Sequence, residues 1–384
     1  MQRPASKETE RTADTGKSSD KLRILWLANI PSPYRVDFFN ELGKYCSLKV
    51  LFERRSSTER DDSWKHTVFL HFRAVFLKGR ALGTAEAFCP GTLRHINKSY
   101  HHIIVTNYSD PTGLIALTHM KLRRIPYMIE GDGAFPKSGK GLRERLKHWA
   151  ISGAELCFST GKMHDAYYRK YNAKKIVRYP FSSVKSADIP KRLPSLEEKM
   201  SIRNRLGIPE KKMVLAVGQL IPRKGYDLLI RAAERMDRET GIYIVGGNPP
   251  EAYLEEKKRA GLTHLHFVPF KTPDELKCYY LAADLFVHPC REDIWGLVVN
   301  EALSYGLPVI STEKCNAALE LVTEGVNGCI VPAGDSNALV DAMIKCLDRS
   351  DMAEAALKSA ETHTIETMAA EHMVVFSGRS DGYV

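Results

Sequence analysis

The 384-residue sequence has few of the patterns that mark a metal site, a disulfide framework or a membrane span. Its eight cysteines include no CxxC pair, and its thirteen histidines show no HxxxH or His–Cys spacing typical of metal ligands. No uncharged apolar run reaches the roughly 18 residues that a spanning helix needs. A P-loop, a GxSxG motif and an opening GxGxxG are also missing. These absences give no support to zinc-protein, secreted disulfide-rich, kinase or serine hydrolase functions.

Composition and charge instead describe a globular chain with an affinity for anions. Hydrophobic residues make up 43% and charged residues 27% of the sequence, and the formal net charge is +10. That excess favours nucleotides, phosphates, nucleic acid or anionic lipid as partners. Residues 1–20 are polar and have no signal-like apolar core, so they predict a disordered tail. We expect a cytoplasmic protein that contacts a membrane at most peripherally, on the inner face.

Apolar runs of strand length alternate with amphipathic helical patterns along the chain. The clearest runs are LRILWLANI, HHIIVTN and AELCFST in the first half and MVLAVG, IYIVGG, LFVHPC and PVIST in the second. Continuous apolar strands separated by helices predict parallel sheets covered on both faces. Because the length favours two domains, we predict the α/β class, with two Rossmann-like doubly wound domains that face a cleft.

The alternation breaks at SSVKSADIPKRLPSLEEKM, where Pro190 and Pro194 interrupt any regular element. This break sets the predicted domain boundaries. We predict a tail at residues 1–20, a first domain at 21–185 and a linker at 186–200. A second domain follows at 201–360, and a closing helix with its own tail at 361–384.

The first candidate site lies where LFVHPCREDIWG passes from a strand into a helix that begins near Trp295 and Gly296. Free N–H groups at a helix N-terminus attract anions, and glycine lets a ligand approach the backbone closely. Asp293 in the loop and Glu301 within the helix could accept hydrogen bonds from ligand hydroxyls. A phosphate site between two carboxylates fits a nucleotide sugar. Alternatively, Asp293 only caps the helix and Glu301 is solvated.

Three more candidate loops follow predicted strands. Arg223 and Lys224 could neutralise a diphosphate or simply form an exposed turn. Gly246, in IVGGNPP, permits either close approach of a ligand or a tight turn. Pro33 and Arg35 would face the cleft from the first domain, where Arg35 could meet a phosphate or pack within a rigid turn.

Asp132 and the basic segment after it form the last candidates. Asp132 stands between two glycines after the strand PYMIEG, where it could bind an acceptor hydroxyl, act as its base, or serve only as a turn residue. Residues 137–149 place Leu142, Leu146 and Trp149 on one helical face among five lysines and arginines. Such a segment could bind an anionic membrane surface, or it could be a solvated helix packed on its own domain.

Several of these stretches resemble the family 4 glycosyltransferases of the GT-B fold, of the bacterial type that builds surface polysaccharides. The resemblance is carried by NIPSPYRVDFFNELGKYCSLKVLFE, GQLIPRKG, LFVHPCREDIWGLVVNEALSYGLPVIST and EGVNGCIVPAGD. It implies a retaining hexosyltransferase with an acceptor-side first domain, a donor-binding second domain and a C-terminal helix that returns to the first. It also implies a UDP- or GDP-sugar donor, a glycan or lipid-linked acceptor, no metal or other cofactor, and no nucleic acid partner.

The resemblance also assigns roles. It implies that Glu301 binds the ribose, that Asp293 or Glu292 reads the sugar, and that Lys224 holds the diphosphate. The predicted catalytic residues are Asp293, Glu301, Lys224 and Asp132. The other predicted donor contacts are Arg223, Gly246, Phe270, Trp295, Gly296, Leu297 and Val298. The chain departs from the family pattern in having Asp293 in place of a glutamate and Gln219 in place of an arginine, whose charge Arg223 could supply.

Other interpretations use the same two-domain frame. A nucleotide-sugar epimerase would change the sugar without an acceptor. A phosphorylase would need a lysine in a pyridoxal-phosphate context, which the sequence does not contain. An inactive homologue that serves as a membrane or complex scaffold is favoured only by the departures at Asp293 and Gln219.

Overall fold

The computed structural model describes residues 21–56, 68–82 and 84–378; the predicted tail at residues 1–20 lies outside them. The described chain forms two parallel sheets, in which helices alternate with the strands along the sequence. Every helix in these ranges is too short or too polar to cross a bilayer.

The first sheet has seven strands in the order β3-β2-β1-β6-β7-β8-β9 within the described residues. Its strands are β1 (Arg23–Ala28), β2 (Ser47–Phe52), β3 (Arg73–Phe76), β6 (His102–Val105), β7 (Met128–Glu130), β8 (Leu156–Ser159) and β9 (Ile176–Arg178). A small hairpin of β4 (Arg80–Ala81) and β5 (Ala87–Phe88) lies beside it. The helices are α1 (Pro33–Leu42), α2 (Pro111–Arg123), α3 (Leu142–Ile151) and α4 (Lys162–Lys170).

Strand β1 shows why this sheet is covered on both sides. Ile24 and Trp26 belong to one hydrophobic cluster, and Leu25 and Leu27 belong to another, because successive side chains of a strand point to opposite faces. All four side chains are at most 1% exposed. The continuous apolar run of the sequence therefore corresponds to a strand buried on both faces.

The second sheet has the order β12-β11-β10-β13-β14-β15 in the part of the chain described. Its strands are β10 (Lys212–Val217), β11 (Thr240–Val245), β12 (Leu265–Val268), β13 (Leu285–His288), β14 (Val309–Thr312) and β15 (Gly328–Val331). Its helices are α5 (Leu196–Leu206), α6 (Tyr226–Ala233), α7 (Glu251–Arg259), α8 (Pro273–Ala282), α9 (Leu297–Ser304), α10 (Asn316–Leu321), α11 (Ser336–Cys346) and α12 (Ser350–Ala360).

The last helix, α13 (Ile365–Phe376), returns to the first sheet and packs against α1. Its His372 is fully buried and stacks on Phe158, with ring centroids 4.4 Å apart, and lies near Trp26 and Phe38. The predicted fold class, two doubly wound units with a returning C-terminal helix, is confirmed.

The predicted linker, residues 186–200, contains the beginning of a helix. Helix α5 starts at Leu196, where Ser195 and Glu198 form a reciprocal capping box. Before it, residues 186–188 make a single 3₁₀ turn. The two prolines thus lie in a short connection that leads directly into the second group of helices.

Candidate functional site

The candidate site centres on the N-terminus of α9, where the loop after β13 meets the helix. Gly296 stands at the N-cap position with φ 105° and permits the sharp entry into the helix. Within the described contacts Asp293 does not cap this helix; its main chain instead pairs with Cys315 in a parallel β-bridge. The first amides of α9 are therefore not covered by that carboxylate.

Asp293 is the centre of a charged cluster at this point. Its Oδ2 accepts hydrogen bonds from His288 Nε2 at 2.9 Å and from Lys224 Nζ at 2.5 Å, and Arg223 lies 3.6 Å from Oδ1. Burial alone would raise the pKa of Asp293, but His288 and Lys224 outweigh it and hold that pKa well below the usual range. Asp293 is thus an anion at any ordinary pH.

The basic loop is fixed against the loop that follows β13. Residues 222–224 form a 3₁₀ turn that ends at Gly225, where φ is 72° and an added methyl group would come within 2.0 Å of the Pro289 carbonyl oxygen. The Arg291 amide also donates to the Arg223 carbonyl at 2.8 Å. Because β10 and β13 are neighbours in the sheet, Arg223 and Lys224 are brought to Asp293 across 69 residues of sequence.

Glu301 lies one helical turn further along α9 and is directed into a cavity. The Tyr280 hydroxyl donates to Oε2 at 2.9 Å, and Ser183 donates to Oε1 at 3.3 Å. Burial raises the pKa of Glu301, and these two hydroxyls offset only part of that effect. The cavity has a volume of about 740 Å³, and its walls include Phe270, Val298 and residues of α1. Glu301 is therefore held by hydrogen bonds within the protein and still lines a cavity that a ligand could enter.

The residues predicted in the first sheet form a second cluster. Arg35 donates to Glu130 at 2.7 Å and also to Asp132, whose other oxygen accepts from the Tyr34 hydroxyl at 2.6 Å. Tyr179 donates to the same Glu130 oxygen at 2.7 Å. Burial raises the pKa of Glu130, and Arg35 counters it. The guanidinium of Arg35 is thus held by two carboxylates, while the Asp132 side chain remains 46% exposed.

The two sheets meet through the loops that carry these clusters. A methyl group on Gly133, where φ is 123°, would lie 2.4 Å from the Ile294 carbonyl oxygen. The Asn316 side chain donates to the carbonyls of Ile294 and Ala134, at 2.6 and 3.3 Å. Lys137 pairs with Glu292 at 2.5 Å. The loop of Asp132 therefore lies directly against the loop of Asp293.

Two other predicted site residues, Gly246 and Trp295, make their closest contacts with other parts of the protein. A methyl group on Gly246 would come within 1.9 Å of the Gly218 carbonyl oxygen, so its closest approach is to the neighbouring strand end. Trp295 is 3% exposed and donates to Asn300 at 2.8 Å, which leaves only its main chain to face a ligand. Pro33, by contrast, lines the same cavity as Glu301.

Sequence reasoning missed the side chains that hold these groups. Tyr280 is the eighth residue of α8 and shows no pattern that connects it with Glu301. Ser183 lies in the segment SSVKSADIPKRLPSLEEKM, whose sequence indicates only a break between domains. His288 was visible in LFVHPC, and its position five residues before Asp293 was the only available signal.

The second half of the chain is similar to known proteins. Residues 198–363 match the family described as Glycosyl transferases group 1. A GDP-mannose-dependent alpha-(1-6)-phosphatidylinositol monomannoside mannosyltransferase of Mycolicibacterium smegmatis is 33% identical over 165 residues, which are 39% of this chain and 42% of that protein. A putative teichuronic acid biosynthesis glycosyltransferase, TuaC, of Bacillus subtilis is 28% identical over 221 residues, 56% of this chain and 54% of that protein. The chain spans about half the length of the curated relatives it matches.

The fold likeness extends over nearly the whole chain. The crystal structure of Anabaena Alr3699/HepE in complex with UDP and glucose superposes with a TM-score of 0.73, covers 93% of this chain and 100% of its own, and is 17% identical. At that identity the likeness concerns the fold alone. Residues 198–363, which contain the second sheet, are therefore similar to the glycosyl transferases group 1 family, and the whole chain has the two-domain GT-B fold.

Proposed function

We propose that this chain is a glycosyltransferase that moves a sugar from a nucleotide diphosphate sugar to a hydroxyl group. The observation that carries the proposal is the meeting of Lys224 and Asp293 beside the N-terminus of α9, next to the cavity that Glu301 lines. Cations, free amides and two carboxylates within one cleft match the phosphates and hydroxyls of such a donor.

On this proposal the diphosphate lies on the amides of Gly296, Leu297 and Val298. Lys224 and Arg223 stabilise the negative charge that develops as the sugar–phosphate bond breaks. Lys224 already faces an anion, Asp293, so its ammonium group is held in place before the donor arrives. Asp293 or Glu292 then accepts hydrogen bonds from the sugar hydroxyls.

Glu301 is proposed to bind the two ribose hydroxyls. Its carboxylate lines a cavity whose walls also include the half-exposed ring of Phe270, which could support a base. The proposed donor is a UDP-sugar or a GDP-sugar. The relatives include a GDP-mannose-dependent enzyme, so both donors belong in the test.

We propose transfer with retention, with Asp132 on the acceptor side. Asp132 lies in the loop that contacts Ile294, so an acceptor hydroxyl bound there is close to the sugar. The departing phosphate oxygen takes the proton of that hydroxyl as the new bond forms. Asp132 orients the hydroxyl by accepting a hydrogen bond, and Tyr34 and Arg35 fix its side chain.

For the acceptor we propose a glycan or lipid-linked hydroxyl, in polysaccharide or lipopolysaccharide assembly at the inner face of a membrane. Within residues 137–149, Leu142 is 71% exposed and has exposed Lys140 and Arg143 beside it. An exposed apolar side chain flanked by two cations suits an anionic lipid surface. In contrast, the ring of Trp149 faces its own domain, where the Lys121 ammonium group lies 4.1 Å from the ring centroid.

Incubation of the purified chain with UDP- and GDP-sugars tests the proposal through slow donor hydrolysis and through thermal stabilisation by UDP or GDP. We expect one nucleotide to stabilise the chain and Glu301→Ala to abolish that shift. A changed sugar without hydrolysis would indicate an epimerase. Absence of both effects with every donor would contradict the proposal and favour a scaffold role.

A further inference from the structure

Three potential metal ligands meet beneath the N-terminus of α9. The Nδ1 or Nε2 atom of His288 and the sulfur atoms of Cys290 and Cys315 lie within 4.8 Å of one another. All three residues are fully buried. No function considered so far uses the two thiols.

The imidazole of His288 is oriented for a ligand on one side. Its Nε2 faces the carboxylate of Asp293 at 2.9 Å, so Nε2 carries a proton and donates it. Its Nδ1 is buried, forms no hydrogen bond of normal geometry with the residues that the structure describes, and interacts with the neighbouring Cys290 thiol. A carboxylate that fixes one nitrogen while the other is directed to the metal is the usual arrangement of metal-bound histidine.

Strand pairing brings the cysteines to this nitrogen. His288 ends β13 and is in register with Ser311 of β14, so Cys290 and Cys315 both follow the carboxyl ends of adjacent strands. Cys315 donates weakly to the Trp295 carbonyl at 3.1 Å, and Cys290 lies 3.7 Å from the Thr312 hydroxyl. Neither thiol is committed to a disulfide.

We propose that His288, Cys290 and Cys315 form a binding site for a soft divalent metal ion, represented by Zn²⁺. Two thiolates and a neutral imidazole would leave a dication without net charge, which suits an interior position. Binding releases the thiol protons to solvent and forms two metal–sulfur bonds and one metal–nitrogen bond. Tetrahedral ligands at about 2.0–2.3 Å from zinc stand roughly 3.6–3.8 Å apart, so the three atoms need only a small contraction.

The site would act on the amides proposed to bind phosphate. A methyl group on Gly296 would come within 2.8 Å of the Cys315 sulfur, so this sulfur supports the N-cap of α9 directly. Drawing Cys315 toward Cys290 therefore shifts that backbone and weakens binding of the donor. This consequence rests on the proposed function, whereas binding of the ion does not.

Equilibrium dialysis of the full chain against Zn²⁺, followed by metal analysis, tests the site itself. We expect one ion per chain, and an affinity at least about tenfold lower in Cys290→Ser and in Cys315→Ser. Cys329→Ser is the matched control, because Cys329 and Cys346 are also buried, with sulfurs 3.3 Å apart, but are not part of this group. Equal loss in the control, or no loss in the two variants, would overturn the proposal.

A measurement on the unaltered chain avoids any effect of substitution on folding. Zn²⁺ should slow the alkylation of Cys290 and Cys315, located by mass spectrometry, and leave the rate at Cys329 unchanged. Protection confined to other cysteines, or none, would contradict the site.

If metal binds but nucleotide affinity stays constant, the site stands and only its coupling to the donor fails. If no nucleotide binds at all, only the proposed function fails.

Discussion

Lys224 Nζ donates to Asp293 Oδ2 at 2.5 Å, and the two side chains are only 12% and 11% exposed. The pair joins the loop after β10 to the loop after β13 at the entrance to α9. In a partly buried position such a contact fixes both groups, and removing Lys224 would leave Asp293 with His288 and the more distant Arg223 as its charged or hydrogen-bonding neighbours.

Lys224→Ala should weaken nucleotide diphosphate binding by about 10- to 100-fold, because it removes a charge-assisted contact worth roughly 1.5–3 kcal/mol. Titration calorimetry with UDP and GDP measures the loss. Lys211→Ala is the matched control, since Lys211 pairs with Glu239 on the exposed surface. An affinity unchanged by Lys224→Ala would remove this lysine from the proposed site.

Tyr280→Phe should weaken nucleotide binding by about three- to tenfold, because it removes one hydrogen bond that orients Glu301, worth roughly 0.5–1.5 kcal/mol. Tyr305→Phe provides the comparison, since its ring stacks on Tyr280 at 5.1 Å and should change binding little. Equal losses in the two variants would show that the effect does not come from the specific hydrogen bond between the Tyr280 hydroxyl and Glu301.

Nucleotide binding should decline on acidification at a higher pH than for an ordinary glutamate site. Burial raises the pKa of Glu301 above its usual value of 4.5, so the proton returns to this carboxylate early as pH falls. A protonated Glu301 can accept fewer hydrogen bonds from ribose hydroxyls. Dissociation constants measured from pH 7 downward should rise through that raised pKa, and Glu301→Gln should remove the dependence. A parallel decline in the Gln variant would place the titration elsewhere.

His372→Phe should make the fold less sensitive to acid. Burial lowers the pKa of His372 to about 3, whereas the unfolded chain takes up a proton near pH 6.5. Below pH 6.5 the unfolded state therefore binds more protons, and stability falls until pH approaches 3. The acid loss attributable to this group should be about 2–4 kcal/mol. Urea unfolding between pH 7 and 4 measures it, with the half-buried His119→Phe as control; identical profiles would contradict the assignment.

The sequence predicted the central strands that are buried on both faces and missed three of the strands at the sheet edges. LFVHPC and MVLAVG are continuous apolar runs, and both are central strands. Strands β3, β9 and β15 lie at the edges of their sheets; they are short or partly exposed, so their hydrophobic pattern is weak. Central strands are easier to recognise in the sequence because both of their faces must be apolar.

The same limit applied to the site. The approach of Asp293 to Lys224 could be expected, since both follow central strands of one sheet. The contact of Glu301 with Tyr280 and Ser183 could not, because it depends on how α8 and α9 pack. Cys315 reaches His288 only through the register of β13 with β14, which no spacing along the chain reveals.

The return of α13 to the first sheet has a consequence for biosynthesis. Trp26, Phe38 and Phe158 are covered by His372 and its neighbours, which the ribosome adds more than 200 residues after Phe158. Until those residues emerge, the first lobe carries an uncovered aromatic surface, although all of its own strands have already been synthesised. The nascent first half should therefore need protection from aggregation while the second half is translated.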